Sequence, residues 1–596
     1  ESALPAERDR LRVTLTPDVP QTLPGHNLAL AYDLSNYPLP KWAHSADVDA
    51  PPGPSSANIL AFAEIAAEAG LICTYDNGHD GSQPGMMVYQ SIGGGIAAID
   101  FDRDGRIDVF VPQAGGDWRP GDPPSDRSDH LFRNIGGGFQ DASRWALPPD
   151  EGFGFGAAVG DVNGDGFPDV YVANARRNLL LMNQGDGTFL DATDAAGLER
   201  EEWTSCGLIA DLNGDGLPDL YDVNYCEGDR PFTHLCMRTS GIPRTCIPTE
   251  FKAAPDRLLI NLGDGRFQEA DESAGIIDVD GRGLGVVAAD FDGEPGLDLY
   301  IANDMTANFL FLNRTASPGG PPKFEERGVI AGAAYDADGR SQASMGIAAD
   351  DCDGDGLLDL FVTHFFNESN TLYRQQAGSF FVDATREARL RAPSMSMLGF
   401  GTQFLDVELD GWPDLVVANG HVDDFTERDI PFRMRPQLFR NVDGEFAEVA
   451  GEELGDFFTS EQLGRGLATL DWNGDGRVDF VVSRLGEPVA LVENRTPVVG
   501  RHFVASFVGR QERDAISVRI RVTAGGRTLH KQLTAGDGFE CSNERRLVFG
   551  LGDAAIVDEV HVRWPNGDEQ TFSQLPVDRE FRFVEGRDRP LELPRP

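Results

Sequence analysis

Short apolar runs recur between residues 58 and 498, each too brief for a helix and each broken by an acidic, glycine-rich turn. Small apolar residues fill 93–99 and 156–160 before such turns, and β-branched or bulky residues fill 109–111 and 415–418 after them. Paired runs of this kind predict two short strands joined by a tight loop. A second pairing follows in each unit. Residues 179–189, 258–267 and 438–446 place apolar runs on both sides of a Gly-containing turn, which predicts two more strands.

The acidic turns share one template. Side-chain oxygens stand at positions one, three, five and nine, and position seven offers a backbone carbonyl, a ligand set that suits a hard cation such as Ca²⁺. The first loop supplies Asp100, Asp102, Asp104 and Asp108 with the Arg106 carbonyl. The second supplies Asp161, Asn163, Asp165 and Asp169 with Phe167, and the third Asp211, Asn213, Asp215 and Asp219 with Leu217. The fourth has Asp290, Asp292, Glu294 and Asp298 with Gly296, and departs from the template in placing Pro295 where a turn glycine is expected. The fifth has Asp351, Asp353, Asp355 and Asp359 with Leu357; the sixth Asp406, Glu408, Asp410 and Asp414 with Trp412; the seventh Asp471, Asn473, Asp475 and Asp479 with Arg477. An EF-hand would need flanking helices and Glu at position twelve. Position twelve is Val111, Val172, Asp222, Ile301, Val362, Val417 and Val482, so that motif is excluded.

Seven units of four strands predict an all-β chain: a seven-bladed β-propeller over residues 58–498, with calcium-binding hairpin loops. Residues 62–71 carry a unit-ending signature ahead of the first loop, and the last unit lacks its own copy. The N-terminal piece is therefore expected to supply the outer strand of the seventh blade and to remove an exposed edge. The longest interval between loops holds an insertion over 224–255 with Cys226, Cys236 and Cys246, and Cys206 lies just before it. Residues 499–587 alternate without metal loops and predict a small β-sandwich-like domain, followed by a tail over 588–596. Residues 1–57 read as an extended arm and linker, with one alternating strand over 11–16.

Charge sharpens this picture. The 97 acids and 51 bases leave a net charge of −46, which repels nucleic acid and anionic membrane and attracts cations. No apolar run is long enough to span a membrane. The chain begins at Glu1, which predicts a processed, exported protein, and export favours disulfides among the clustered cysteines. Catalytic signals are weak. The ten histidines are scattered without HExxH, and no GxSxG occurs. His364 and His421, just after loops five and six, are the pair that one propeller face could gather. Trp203, Tyr225 and Phe232 offer a candidate ligand or glycan platform near the insertion. Sequons stand at Asn313, Asn367 and Asn494.

The loops and their neighbours resemble FG-GAP repeats of the integrin α-subunit type. Residues 61–70, 417–422 and 464–468, with 547–552 and 563–567 near the end, are similar to the cartilage acidic protein family with its terminal ASPIC/UnbV domain. That resemblance implies an exported calcium-binding propeller used in matrix, adhesion or assembly, and implies no reaction. The expectation is an extracellular, non-enzymatic structural or adhesion protein with up to seven Ca²⁺ sites, self-associating through its N-terminal arm into filaments. The alternative is a lectin-like module that binds a carbohydrate or protein ligand.

Overall fold

In the computed structural model each acidic loop joins the first and second strands of a four-stranded antiparallel sheet, and seven such sheets follow one another along the chain. The structure describes residues 60–79, 85–114, 128–150, 152–237, 241–276, 280–497 and 499–594. The arm expected over residues 1–57 lies outside them. The second sheet shows the plan: Gly154–Gly160 pairs with Asp169–Asn174, then Leu179–Asn183, then Phe189–Asp191. Among the described residues the helices are single turns, as short runs between strands require.

The first strand of each sheet carries small residues for a packing reason. All seven residues of Gly154–Gly160, Thr204–Ala210 and Gly283–Ala289 are buried, so neither face alternates with water. A Cβ at Gly156 would stand 3.1 Å from the Ser205 carbonyl oxygen, and one at Gly285 would stand 2.4 Å from that of Met345. Neighbouring sheets thus approach to a distance that only glycine permits. The first strands pack in succession from Ala97–Ile99 through Gly464–Leu470, and the seventh also packs against the first. Phe62–Glu64 completes the seventh sheet from the other end of the chain, pairing with Glu487–Asn494 in the register Phe62↔Asn494.

Two further four-stranded sheets form the C-terminal region. Arg501–Val508 lies between Leu547–Gly552 and Arg579–Val584, and Arg519–Ala524 lies between Arg527–Gln532 and Ile556–Arg563. Their facing sides share a core that includes Phe503, Val522, Val560, Phe572 and Phe583. Leu591–Leu593, expected as tail, instead adds an edge strand beside Arg579–Val584.

A polar segment between these sheets reaches back into the seven-sheet body. Ala535 and Gly536 pair with Ala288 and Val287 of the fourth sheet. Gly538 exchanges backbone bonds of 2.6 and 2.9 Å with Ile347 of the fifth. The Glu540 carbonyl accepts from Ala157 of the second, and Ser542 bonds Ile96 and Ala98 of the first. Asn543 and Glu544 bond both backbone groups of Thr469 in the seventh. Phe539 meets Phe400 edge-on at 5.0 Å and joins a buried cluster with Trp203, Phe232 and Phe251. The centre is therefore filled by the chain itself.

Arg465 stands in that centre, 0 % exposed. It donates to the carbonyls of Ser91 (2.9 Å), Gly464 (2.8 Å) and Gly420 (3.3 Å) and lies 3.9 Å over the Phe400 ring. Burial lowers its pKa to about 9, opposed by Glu540 and Tyr75. The Glu540 carboxyl, buried without a hydrogen-bond partner, is held well above the usual range by burial, an effect that Arg465 opposes. Replacing Arg465 with Met keeps the bulk and orphans these carbonyls, at a cost of about 3 kcal/mol. Scanning calorimetry should show Arg465→Met melting several degrees below wild type; an unchanged melt would contradict a structural role.

Candidate metal centres

Each second strand opens on the position-nine acid of its loop: Asp108, Asp169, Asp219, Asp298, Asp359, Asp414 and Asp479. All seven are buried. Two kinds of backbone donor hold them. The position-two N–H donates to one oxygen, as from Val162 to Asp169 at 3.0 Å, and the third strand donates to the other, as from Asn183 at 2.8 Å. The first-position carboxylate accepts from the position-six N–H, for example Gly166 to Asp161 at 2.8 Å and Gly411 to Asp406 at 2.7 Å. Gly166 sits at φ +97°, which is why glycine is needed there. The turn thereby gathers its oxygens on one point.

These residues fit a divalent cation. In loops one, four and five, oxygens of Asp100/Asp102/Asp108, Asp290/Asp292/Asp298 and Asp351/Asp353/Asp355 lie within 4.8 Å of one another. The fourth loop achieves this despite Pro295, with Gly296 taking the positive φ and Glu294 left exposed. Loops two, three and seven carry Asn163, Asn213 and Asn473, whose Oδ1 atoms accept from the position-five N–H at 2.9–3.0 Å. In loop six one oxygen of Glu408, Oε2, is buried without a partner. An oxygen-only set with an unsatisfied buried carboxylate suits a hard divalent cation.

Sequence reading overlooked the residue that ties these loops together. The third strand of each sheet ends in or near an amide: Asn134, Asn183, Asn261, Asn313, Gln375, Asn441 and Asn494. Each amide nitrogen donates to the position-two carbonyl of the preceding loop. Asn183 reaches Phe101, Asn261 reaches Val162, Asn313 reaches Leu212, Gln375 reaches Phe291, Asn441 reaches Cys352 and Asn494 reaches Val407. Asn134 of the first sheet reaches Trp472 of the seventh loop at 2.7 Å. The signal was present as an Asn, or in the fifth sheet a Gln, recurring at the end of each third apolar run, which looked like turn chemistry.

The C-terminal sheets rest on the loops. Asp514 accepts from the Asp161 N–H (2.9 Å) and Glu544 from the Asp471 N–H (2.8 Å). Arg519 donates to the Asp290 carbonyl (2.7 Å) and Arg527 to that of Asp410 (2.6 Å). The insertion over 224–255 is closed by a Cys236–Cys246 disulfide and tied to the sixth sheet, where Thr245 donates to Asp423 at 3.0 Å. Cys206 and Cys226 are buried and free.

Other candidates resolve differently. Trp203, Tyr225 and Phe232 are buried against one another and offer no exposed platform. His364 is buried beside Thr371, and burial lowers its pKa to about 3. His421 is packed among Phe365, Phe366 and Phe425. The sequon amides of Asn313 and Asn494 are buried and engaged in the inter-loop bonds, so neither offers a free nitrogen for glycosylation.

Comparison with known proteins agrees with the repeat pattern. The FG-GAP-like repeat model matches residues 100–172, 161–221, 351–417 and 406–482, each running from one acidic loop past the next, and the ASPIC and UnbV model matches residues 508–590. The chain is an FG-GAP-repeat protein with an ASPIC and UnbV domain. It is similar to cartilage acidic protein 1 of Homo sapiens, 24% identical over 521 residues that cover 82% of this chain and 70% of that one. The Xenopus tropicalis protein of that name is 27% identical over 542 residues, covering 84% and 74%. Among solved structures, an Agrocybe aegerita lectin recognising non-reducing terminal N-acetylglucosamine is 14% identical over 76% of this chain and 98% of that chain, with a TM-score of 0.37. The BP39L lectin of Burkholderia pseudomallei is 13% identical over 68% and 96%, with a TM-score of 0.40. Neither score reaches 0.5, so neither likeness bears on fold or ligand here.

Burial, reinforced by neighbouring carboxylates, raises the FG-GAP loop acids: Asp108 to about 9, Asp169 and Asp406 to about 8, Asp351 and Asp359 to about 7. The unfolded carboxyl titrates near pH ~4. These acids therefore support the metal-free fold fully below that value, and the support is lost as pH rises through about 7 to 9. Chelator-treated protein should melt lower at pH 8 than at pH 5.5, and added Ca²⁺ should narrow the gap. A metal-free melt that is flat or rises over this interval would count against the buried-acid assignment.

Proposed function

We propose that the seven sheets are the blades of a closed seven-bladed β-propeller and that the protein is an extracellular, calcium-binding structural or adhesion protein. The observation that carries this reading is the amide relay, which steps from loop to loop and returns from Asn134 in the first sheet to Trp472 in the seventh loop. Such a return is what closure demands. Bound Ca²⁺ neutralises the acids that converge in each loop. Asp100, Asp102 and Asp108 would hold it in the first loop, and the matching positions in the others. Seven such ions would take the net charge from −46 to about −32, since each adds two positive charges.

Several features support a non-catalytic role. The centre, where a propeller enzyme would place its site, is occupied by Phe539, Glu540 and Arg465. Trp203, Tyr225 and Phe232 are buried and offer no exposed platform for the lectin-like alternative. A disulfide favours an oxidising, extracellular setting. No helix among the described residues is long and apolar enough to cross a membrane. Self-association through residues 1–57, into filaments or with other extracellular proteins or glycans, remains part of the proposal on the strength of their sequence.

Each site stabilises the fold by about 2.7 kcal/mol at a hundredfold excess of ion over Kd. Calorimetry with 1,2-bis(2-aminophenoxy)ethane-type chelator or EDTA against excess Ca²⁺ should therefore separate the two melts by well over ten degrees. Coincident melts would sink the calcium reading.

A further inference from the structure

The loops use two solutions at position three, and a residue on the third strand, or in the fourth sheet just past its end, changes with them. Loops one, four, five and six carry an acid there: Asp102, Asp292, Asp353 and Glu408. Each acid faces an arginine of its own sheet. Arg133 pairs with Asp102 and Arg440 with Glu408, Arg314 donates to Asp292 at 2.7 Å, and Arg374 lies 3.4 Å from Asp353. Loops two, three and seven carry Asn163, Asn213 and Asn473 instead. Where Arg133, Arg374 and Arg440 stand, one residue before the relay amide, these sheets have Met182, Ile260 and Glu493. In the seventh loop the polarity is inverted, with Asn473 donating to Glu493 at 3.3 Å. Other arginines meet positions one and five, such as Arg519 at Asp290, Arg106 at Asp104 and Arg477 at Asp475, and these do not follow the residue at position three.

Charge counting shows what the alternation preserves. Counting only the arginine that meets position three, four acids leave three negative charges in loops one, four, five and six, and three acids with no such arginine leave three in loops two and three. The arginine also takes only one oxygen of its acid. Arg440 holds Oε1 of Glu408 while Oε2 stays buried without a partner, and Arg374 faces Oδ2 of Asp353 while Oδ1 is likewise buried and unpaired. In these two loops the unclaimed oxygen is the one left for a cation; in loops one and four the other oxygen, Oδ1 of Asp102 and of Asp292, accepts the position-five N–H at 3.2 and 2.9 Å.

We infer that Arg133, Arg314, Arg374 and Arg440 are the affinity-setting residues of their loops: each offsets the extra position-three charge and fixes which carboxylate oxygen is offered to the ion. This rests on the calcium reading above. A unit charge about 6 Å from a divalent ion changes its Kd by about tenfold even in a high dielectric. The four loops are thereby held in the same affinity range as loops two and three.

Loop six allows a direct test, because Trp412 occupies its seventh position and can sensitise Tb³⁺. The full-length protein would carry Trp472→Phe, so that Trp412 is the tryptophan within a metal loop. Tb³⁺ would be loaded and displaced with Ca²⁺. Arg440→Met should tighten Ca²⁺ binding at this loop about tenfold. Glu408→Asn alone should weaken it by at least as much, and Glu408→Asn with Arg440→Met, which rebuilds the arrangement of the second loop, should return it near the starting value. Arg440→Gln provides the same charge change should the Met variant fold poorly, and should also tighten binding. Unchanged or weaker binding in folded Arg440→Met or Arg440→Gln protein, or a double variant no better than Glu408→Asn, would overturn the inference while leaving the calcium reading intact. Absence of Ca²⁺-displaceable Tb³⁺ luminescence in the parent protein would overturn both.

Discussion

One side-chain amide per sheet, reaching back to the loop of the sheet before it, is the constraint on which the rest depends. A four-stranded sheet of this kind buries both faces of its first strand and cannot stand alone. Its neighbours must be held at a fixed spacing, and the amide does this by satisfying two carbonyls at once: Asn261, for instance, donates to Val162 of one loop and Pro218 of its own. A hydrocarbon replacement would leave both acceptors buried and unpaired. The same residue's backbone N–H holds the position-nine acid, so sheet spacing and loop geometry are set by one residue.

The acids converge because the fold puts them there. Turn glycines, position-nine carboxylates at the start of the second strands and backbone donors all face inward, and the cost is a cluster of carboxylates pushed toward protonation. That cost is relieved in two ways in this reading: by calcium at the centre of the loop, and at its rim by an arginine or by an asparagine standing in place of the acid. The C-terminal sheets add a third layer. Their side chains cap the backbone of the loops, and the segment that carries Phe539 and Glu540 threads the centre. Loops, sheets and terminal domain thus form one connected polar and apolar framework around a filled core.

Much of this was legible in the sequence. Strand pairs, loop positions and the completion of the seventh sheet by residues near Phe62 follow from periodicity and from a missing repeat signature. The oxygen-bearing positions of each loop follow from spacing. What escaped reading depends on contacts between distant segments. Asn183 looks like an ordinary turn residue until Phe101 is brought beside it. The segment around Glu540 has no apolar run to mark it as core, and its burial comes from backbone pairing with sheets hundreds of residues away. Trp203 and Tyr225 pose the opposite case, because aromatics near an insertion can be read as platform or as packing, and only burial separates the two.

The central claim is that the seven loops hold calcium and that the ring depends on it. Native mass spectrometry of the full chain, after dialysis against micromolar Ca²⁺ and again after chelation, counts the ions directly. The account predicts discrete mass additions of calcium reaching up to seven per chain, lost on chelation together with a shift to the higher charge states of an opened fold. A chain that retains its compact charge states and carries no calcium under either condition would contradict it.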